Sequence, residues 1–301
     1  MLTEFVNIPD VRRRFREEFP RTPSPTNNRP LAPPLTKNYA VVGSAFDYLL
    51  RFYIKRLNPR AESRRWVVER VPHKNASAIV EDAKVSYEKY LTSGVIDDQL
   101  LESVVRLASL EPFYRSSGLR GSEYVGQCDR GEVEDLRALI SLVDPKLFTA
   151  KHTVLLNPTF GEGSILVEGA DADLIIDDTI FDIKTVMHLQ VRRDTYNQLI
   201  GYYTLSTIGG ISGVERNYQI NKLAVYFSRF AEVRTFDIAD IIDANKFPSF
   251  VEWFRDRAKQ EYDLDTGQGL SRTHRLFRMK RERERPTGFL VLPARGSGCS
   301  F

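Results

Sequence analysis

The stretch "EGADADLIIDDTIFDIKTV", residues 168–186, places several aspartates and one lysine among two apolar runs. The runs predict two β-strands joined by a tight turn at Asp177 and Asp178. A carboxylate that faces the buried side of a sheet costs several kcal/mol unless another charge neutralises it. A bound cation is the usual neutralising group, so the stretch predicts a strand hairpin with a cation site beside it.

Length and composition limit the classes of protein that remain possible. The chain has 301 residues, enough for one large domain or two small ones with a substantial core. Its 42% hydrophobic and 28% charged residues are typical of an ordinary globular protein. No run approaches the ~20 apolar residues of a membrane span, and the first residues lack the order of a secretory signal. We therefore expect a cytoplasmic protein without membrane contact.

Several further classes of protein are disfavoured by the sequence. Cys128 and Cys299 lie far apart and fit no metal-ligand spacing, which argues against a disulfide framework, a zinc site and a four-cysteine iron–sulfur cluster. No glycine-rich phosphate loop occurs, so we do not expect an ATP-driven motor within the chain.

Shifts in composition divide the chain into four segments. They are an N-terminal arm and proline-rich linker at 1–37, a helical region at 38–125, a core at 126–263 and a basic tail at 264–301. In the helical region we expect a helix that starts at a Ser44 cap, followed by helices at 77–92 and 98–110.

The core segment changes from long helical periods to short apolar runs separated by turn residues, which predicts a sheet. The expected class is α/β, with the order α-β-β-β-α-β and a last helix before the tail. The predicted elements are a helix at 131–143, strands at 151–160, 164–176 and 179–186, a helix at 194–210, one or two strands within 220–238 and a helix at 250–262.

Alternation along the strands brings charged residues together. Asp171 and Asp173 share one face of the second strand, and Asp182 and Lys184 share one face of the third. The hairpin makes Asp173 and Asp182 near neighbours, and two adjacent carboxylates repel unless a hard divalent cation lies between them. Lys184 can orient a water molecule or neutralise charge on a phosphate. The alternative interpretation is that Asp171 and Asp173 are exposed residues of an edge strand.

These residues resemble the PD-(D/E)xK nuclease superfamily, in particular its RecB-like branch. The resemblance rests on "ADLII" around Asp173, on "DIK" at Asp182 to Lys184, and on "QLIGY", which sets Gln198 and Tyr202 in the following helix. It covers residues from about 130 to 235 and implies a restriction-endonuclease-like core with a helical N-terminal extension.

The resemblance also implies what the hairpin residues do. Asp173 and Asp182, together with the backbone carbonyl of Ile183, are expected to hold Mg²⁺ or Mn²⁺. Lys184 is expected to assist the water that attacks the phosphodiester.

Some positions depart from the family pattern or leave it open. Ala172 stands where the name of the family has proline, and the cysteines of its iron–sulfur members are missing. The family also uses an acid or histidine from the helix before the first strand, and here Glu132 and Glu134 compete. Glu132 is favoured because it shares an inward helical face with Leu136 and Leu139.

Several residues are candidates for binding a nucleic acid. Gln198 and Tyr202 are expected from the resemblance to place the strand, although such a pair is also common on an ordinary helix surface. Arg192 and Arg193 could clamp phosphates next to the metal, and the basic tail at 264–301 could bind phosphates without sequence preference.

The predicted function is metal-dependent hydrolysis of phosphodiester bonds, with DNA favoured over RNA and a helicase or motor subunit as a possible protein partner. The alternative is a catalytically silent nucleic-acid-binding or scaffold subunit with the same fold.

Overall fold

Six strands among the described residues form one mixed sheet whose spatial order follows the chain. The computed structural model describes residues 1–20, 29–63, 66–71, 73–115 and 125–262. The strands are β1 (Glu62–Ser63), β2 (Val154–Leu156), β3 (Leu174–Ile176), β4 (Thr179–Lys184), β5 (Lys222–Phe227) and β6 (Glu232–Asp237). β2, β3 and β4 run antiparallel in succession, as do β5 and β6, whereas the β1–β2 and β4–β5 pairs are parallel. The predicted α/β class is confirmed.

The hairpin between β3 and β4 turns at Asp177, as predicted. Leu174 lies opposite Phe181 in the pairing, and Asp177 adopts the left-handed conformation with φ 47°. Asp and Asn tolerate this region better than most residues because their short side chains bond to nearby backbone. The Asp177 carboxylate accepts three backbone N–H groups, from residues 151–153, and so fixes the approach to β2.

Helices cover both faces of the sheet. They are α1 (Leu2–Phe5), α2 (Pro9–Glu18), α3 (Tyr39–Leu57), α4 (Ala76–Ser93), α5 (Asp98–Ala108), α6 (Glu111–Arg115), α7 (Arg130–Ser141), α8 (Glu162–Leu166), α9 (Arg193–Gly209), α10 (Ile238–Ile241) and α11 (Phe247–Glu261). The predicted helices that became α4, α5, α7, α9 and α11 are confirmed. In contrast, α3 begins at Tyr39, so the predicted cap at Ser44 is wrong. The apolar run before Gly43 extends the helix, and the Ser44 side chain lies within it.

The predicted second strand is wrong over its first half. Residues Glu162–Leu166 form α8, and only Leu174–Ile176 are paired as a strand. Glycine explains the difference, since Gly163 allows α8 to approach α9 closely. A Cβ atom at Gly163 would lie 2.6 Å from the backbone oxygen of Leu205. Asp171 keeps only an isolated bridge to Thr159.

The sheet separates two hydrophobic cores, and alternate strand residues enter each of them. Leu174 and Phe181 pack with α3, α4, α5 and α7, whereas Ile175 and Ile180 pack with α1, α2, α9 and α11. The helical region at 38–125 therefore shares a core with α7 of the predicted core segment. The first helices of the predicted arm are likewise packed rather than extended.

Parts of the predicted segments fall outside the described residues. These are 21–28 of the linker, 64–65, 72 and 116–124 of the helical region, 263 of the core and all of the basic tail at 264–301. Within the described ranges, no helix is both long and apolar enough to cross a membrane.

Candidate functional site

Asp173 and Asp182 lie side by side at the end of the β3–β4 hairpin. Asp173 directly precedes β3, and its Oδ2 accepts the backbone N–H of Ile183 at 2.6 Å. That bond places Asp173 one step along the pairing from Leu174 and Phe181, next to Asp182. The pairing of β3 with β4 therefore brings Asp173 and Asp182 together, as predicted.

Lys184 projects from the same face of β4 and pairs with Asp182. Its Nζ lies 2.7 Å from Asp182 Oδ2 and donates a hydrogen bond to Oδ1 at 2.9 Å. The contact with Oδ2 is close but is not aligned as a hydrogen bond, so this oxygen has no hydrogen-bond partner. Asp182 is only 1% exposed, so its carboxylate has almost no contact with water. The Lys184 ammonium that pairs with it also interacts with the charges of Asp173 and Asp194.

A third carboxylate comes from α3 and was not anticipated from the sequence. The Asp47 side chain is 24% exposed, accepts Arg51 Nη2 at 2.5 Å, and lies close enough to Asp173 and Asp171 for their charges to act on it. Its Oδ1 is buried without a hydrogen-bond partner. A signal was present in the sequence, since Asp47 is the one acid of a long apolar helix and has an arginine four residues later.

A fourth acid, Glu111 of α6, lies close enough to Asp47 for its charge to act on that carboxylate. Glu111 is 7% exposed, accepts the Ser44 hydroxyl at 3.1 Å, and its charge acts on both Asp47 and Arg51. The helical region therefore supplies a second set of acids to the hairpin pair.

Burial and mutual repulsion change the pKa values of these acids. Burial raises the pKa of Asp47 to about 7; Arg51 opposes the rise, whereas Asp173, Glu111 and Asp171 add to it. Burial likewise raises the pKa of Asp182 to about 6, with Lys184 opposing and Asp173 adding. Perturbed carboxylates of this kind cluster at functional sites more often than elsewhere.

The glutamine and tyrosine of α9 face the same acids. Gln198 Nε2 donates to Tyr202 Oη at 2.6 Å. Tyr202 is buried, and its pKa is raised well above the ordinary value by burial and by the charges of Asp173, Asp182 and Asp171. The Gln198–Tyr202 pair is thus a wall of the acidic site and not an ordinary helix surface.

The two glutamates of α7 have other partners. Glu132 completes a capping box with Asp129: its Oε2 accepts the Asp129 N–H at 3.0 Å, and its Oε1 accepts Asn38 Nδ2. Glu134 pairs with Arg130 and Arg137 at the surface. Glu132 was predicted to face inward, and it is buried. Its side chain, however, caps the start of α7.

The two arginines at the start of α9, Arg192 and Arg193, have different contacts. Arg192 is exposed and pairs at 3.2 Å with Asp194, whose charge acts on Asp182 and Lys184. Arg193 instead donates to the backbone carbonyls of Phe15 and Phe19, which ties α2 to the start of α9. The prediction that Arg193 clamps phosphate is therefore replaced by a structural role.

The chemistry of the donors fits a hard cation. Asp47 Oδ1 and Asp182 Oδ2 are buried carboxylate oxygens without hydrogen-bond partners, and Mg²⁺ and Mn²⁺ prefer oxygen ligands. Among the described residues, no three carboxylate, imidazole or thiol groups are already gathered as a metal-binding cluster. Lys184 would have to release one Asp182 oxygen for a cation to bind there.

Comparisons with protein-family models, with curated proteins and with solved structures found no match to this chain.

Proposed function

We propose that the chain is a nuclease that hydrolyses phosphodiester bonds, with DNA as its substrate and Mg²⁺ or Mn²⁺ as its cofactor, on a restriction-endonuclease-like core. The observation that carries the proposal is the convergence of Asp173, Asp182 and Lys184 from two adjacent strands. Asp47 supports it by adding a third carboxylate, whose pKa is raised by burial and by the charge of Asp173.

The removal of water from Asp182 and from Asp47 Oδ1 costs free energy and calls for a functional reason. Each buried carboxylate without full pairing costs free energy, because water has been removed and no donor replaces it. A metal held by Asp173 and Asp182, with Asp47 and the Ile183 carbonyl as further candidates, would neutralise phosphate charge and lower the pKa of the attacking water.

The residues around the acids have distinct tasks in this proposal. Burial lowers the pKa of Lys184, but the charges of Asp182 and Asp173 outweigh it and keep the ammonium protonated. Lys184 would therefore orient the water and stabilise negative charge on the phosphate instead of removing a proton. Gln198 and Arg192 would contact the strand from the side of α9.

Two substitutions at the hairpin test the proposal. Asp182→Asn should abolish metal-dependent cleavage and the rise in melting temperature that Mg²⁺ or Mn²⁺ gives the wild type, because only a ligand that binds the folded state stabilises it. Lys184→Met should keep that rise and lose cleavage by about 10²- to 10³-fold. Calorimetry with metal titration and a plasmid-nicking assay measure both.

Asp178→Asn is the matched control. It removes the same charge from the same stretch, but its carboxylate contacts Thr179 and Asn221 at the turn. It should leave metal response and cleavage unchanged. If wild-type protein neither responds to divalent metal nor cuts any DNA or RNA, the scaffold function is the better proposal, with a helicase or motor subunit as the partner to seek.

A further inference from the structure

A pocket of about 370 Å³ opens between α3, α4 and the end of β2, on the helical side of the acidic site. Its walls are aromatic, formed by Phe52, Trp66 and Tyr87. The ring centroids of Phe52 and Tyr87 are 4.3 Å apart, and those of Phe52 and Trp66 are 5.3 Å apart. The volume lies within the range of small-molecule sites, large enough for one nucleoside.

Two residues of the pocket also touch the acidic site. Arg51 lines the pocket and pairs with Asp47. Asn157 lines it as well, and its backbone N–H donates to the backbone oxygen of Asp173 at 3.1 Å. A group held in the pocket would therefore lie next to the acids.

Asn157 gives a second sign of a ligand. Its φ of 53° is in the left-handed region, and its side-chain Oδ1 is buried without a hydrogen-bond partner. Asparagine tolerates this backbone conformation, but a buried amide oxygen without a hydrogen-bond partner is unusual in a purely structural position. The Asn157 side-chain amide has both a hydrogen-bond donor and an acceptor. Such amides commonly form hydrogen bonds with the polar atoms of a nucleobase.

The charges around the pocket favour a base over a phosphate. Arg51 is already neutralised by Asp47, and Lys84 at the rim lies 3.6 Å from Glu69. Glu88 adds a negative charge to the lining. A phosphate would need a surplus of donors and positive charge, whereas an uncharged planar base needs aromatic faces and a few polar groups.

We propose that this pocket holds one unpaired nucleobase of the substrate strand, stacked on Trp66, while the adjoining phosphate lies at the acids. The inference rests on the proposed function and narrows it, because a base can enter the pocket only from a single strand, a strand end or an opened pair. Fully paired duplex would then be a poor ligand.

Trp66 itself can report the binding. The chain has two tryptophans, and the other, Trp253, packs with the opposite core. In the full-length Trp253→Phe variant the fluorescence comes from Trp66 alone. This variant is titrated with single-stranded DNA, with the same strand carrying abasic sites, and with blunt duplex, in EDTA and again in Ca²⁺. Anisotropy of labelled DNA follows binding independently.

The expected result is quenching of Trp66 by the single strand and little quenching by the abasic strand, which has the same backbone without the bases. Trp66→Leu, with wild-type Trp253, should weaken single-strand binding about 5- to 100-fold and abasic-strand binding hardly at all. Circular dichroism and a melting curve check that this variant is folded.

The outcomes separate the inference from the proposed function. Equal quenching by both strands, binding without quenching, or no binding in either buffer overturns the base pocket, whatever the nicking assay shows. Selective quenching by a protein that never cuts DNA supports the pocket and overturns the nuclease. Selective quenching together with cleavage supports both.

Discussion

Two buried acid–base pairs in this protein are built in opposite ways. Asp135 of α7 and Arg229, which follows β5, are 0% and 1% exposed and form two parallel hydrogen bonds at 2.8 and 3.1 Å. Asp135 also accepts the Leu35 N–H, and Arg229 donates to the Ala32 carbonyl. Asp182 is buried just as deeply but shares one lysine with neighbouring acids and keeps an oxygen without a hydrogen bond.

The difference separates stability from function. The Asp135–Arg229 pair joins three segments that are distant in sequence. Neither side chain has a buried nitrogen or oxygen without a hydrogen-bond partner. A satisfied buried pair of this kind holds a fold together once formed. Asp182 instead experiences repulsion from Asp173, which is typical of a binding site before its ligand is bound.

The largest expected effect comes from breaking the satisfied pair. Arg229→Met leaves Asp135 buried without its partner and should lower the free energy of unfolding by about 3–5 kcal/mol. Urea denaturation measures the loss. Arg234→Met is the control, because its pair with Glu232 is about one-third exposed and should contribute less than about 1 kcal/mol. Equal losses in the two variants would remove the distinction drawn above.

The same change in the other pair should cost less. In metal-free protein Lys184→Met should lose less than about 2 kcal/mol, because Asp182, with a pKa already raised to about 6, can take up a proton. Asp182→Asn should be as stable as wild type or more so, since it relieves repulsion from Asp173. A loss of about 4 kcal/mol in either variant would mean that this pair, too, is structural.

A smaller effect is expected at the wall formed by α9. Tyr202→Phe removes only the hydroxyl that accepts Gln198, and Gln198→Ala removes the donor. Each should weaken DNA binding about 3- to 10-fold and leave the melting shift with Mg²⁺ intact. Phenylalanine is the sharper choice at Tyr202, because its ring stacks on Phe160 at 5.5 Å and alanine would open a cavity. Unchanged DNA affinity in both variants would exclude α9 from substrate binding.

The smallest effect extends the comparison to Asp177, a satisfied carboxylate at the turn. Burial works against it, but bonds from the backbone N–H groups of Lys151, Thr153 and His152 lower its pKa below the ordinary 3.8. A lowered pKa in the folded state stabilises the protein above pH 4, and this contribution is lost as the pH falls through the lowered value.

Asp177→Asn should therefore cost about 1 kcal/mol near pH 7, because asparagine keeps one acceptor oxygen and tolerates the positive φ. The difference from wild type should shrink as the pH falls below 4 and through the lowered pKa of Asp177. Urea denaturation across this pH range measures it, and a difference that is constant with pH would show that the charge of Asp177 is unimportant.

The sequence was sufficient for the elements whose pattern is local. The alternation of "TIFDIK" and the turn at Asp177 predicted the β3–β4 hairpin, and with it the meeting of Asp173 and Asp182. The amphipathic periods of α4, α5, α7, α9 and α11 predicted helices because each packs one face against a core.

Contacts between distant segments could not be predicted in this way. Asp47 was missed because its meeting with Asp173 depends on how α3 docks against the sheet, which no period in the sequence encodes. α8 was predicted as a strand because its short apolar run fits both the helical and the strand periodicity. The helix forms because Gly163 allows it to approach α9 closely. Glu132 was favoured for the site because of its inward helical face, but that pattern could not predict its part in the capping box with Asp129.

The order of the strands along the chain bears on how the site assembles during folding. Asp173 and Asp182 are joined by a short hairpin, whose loop closes at little entropic cost. Asp47 belongs to the first third of the chain and reaches them only when α3 docks, a contact of high sequence separation that forms slowly. The acid pair would then spend the early steps of folding in water, where its repulsion is screened, and the third carboxylate would join last. The three carboxylates would therefore come together only after the surrounding structure has formed and can stabilise them.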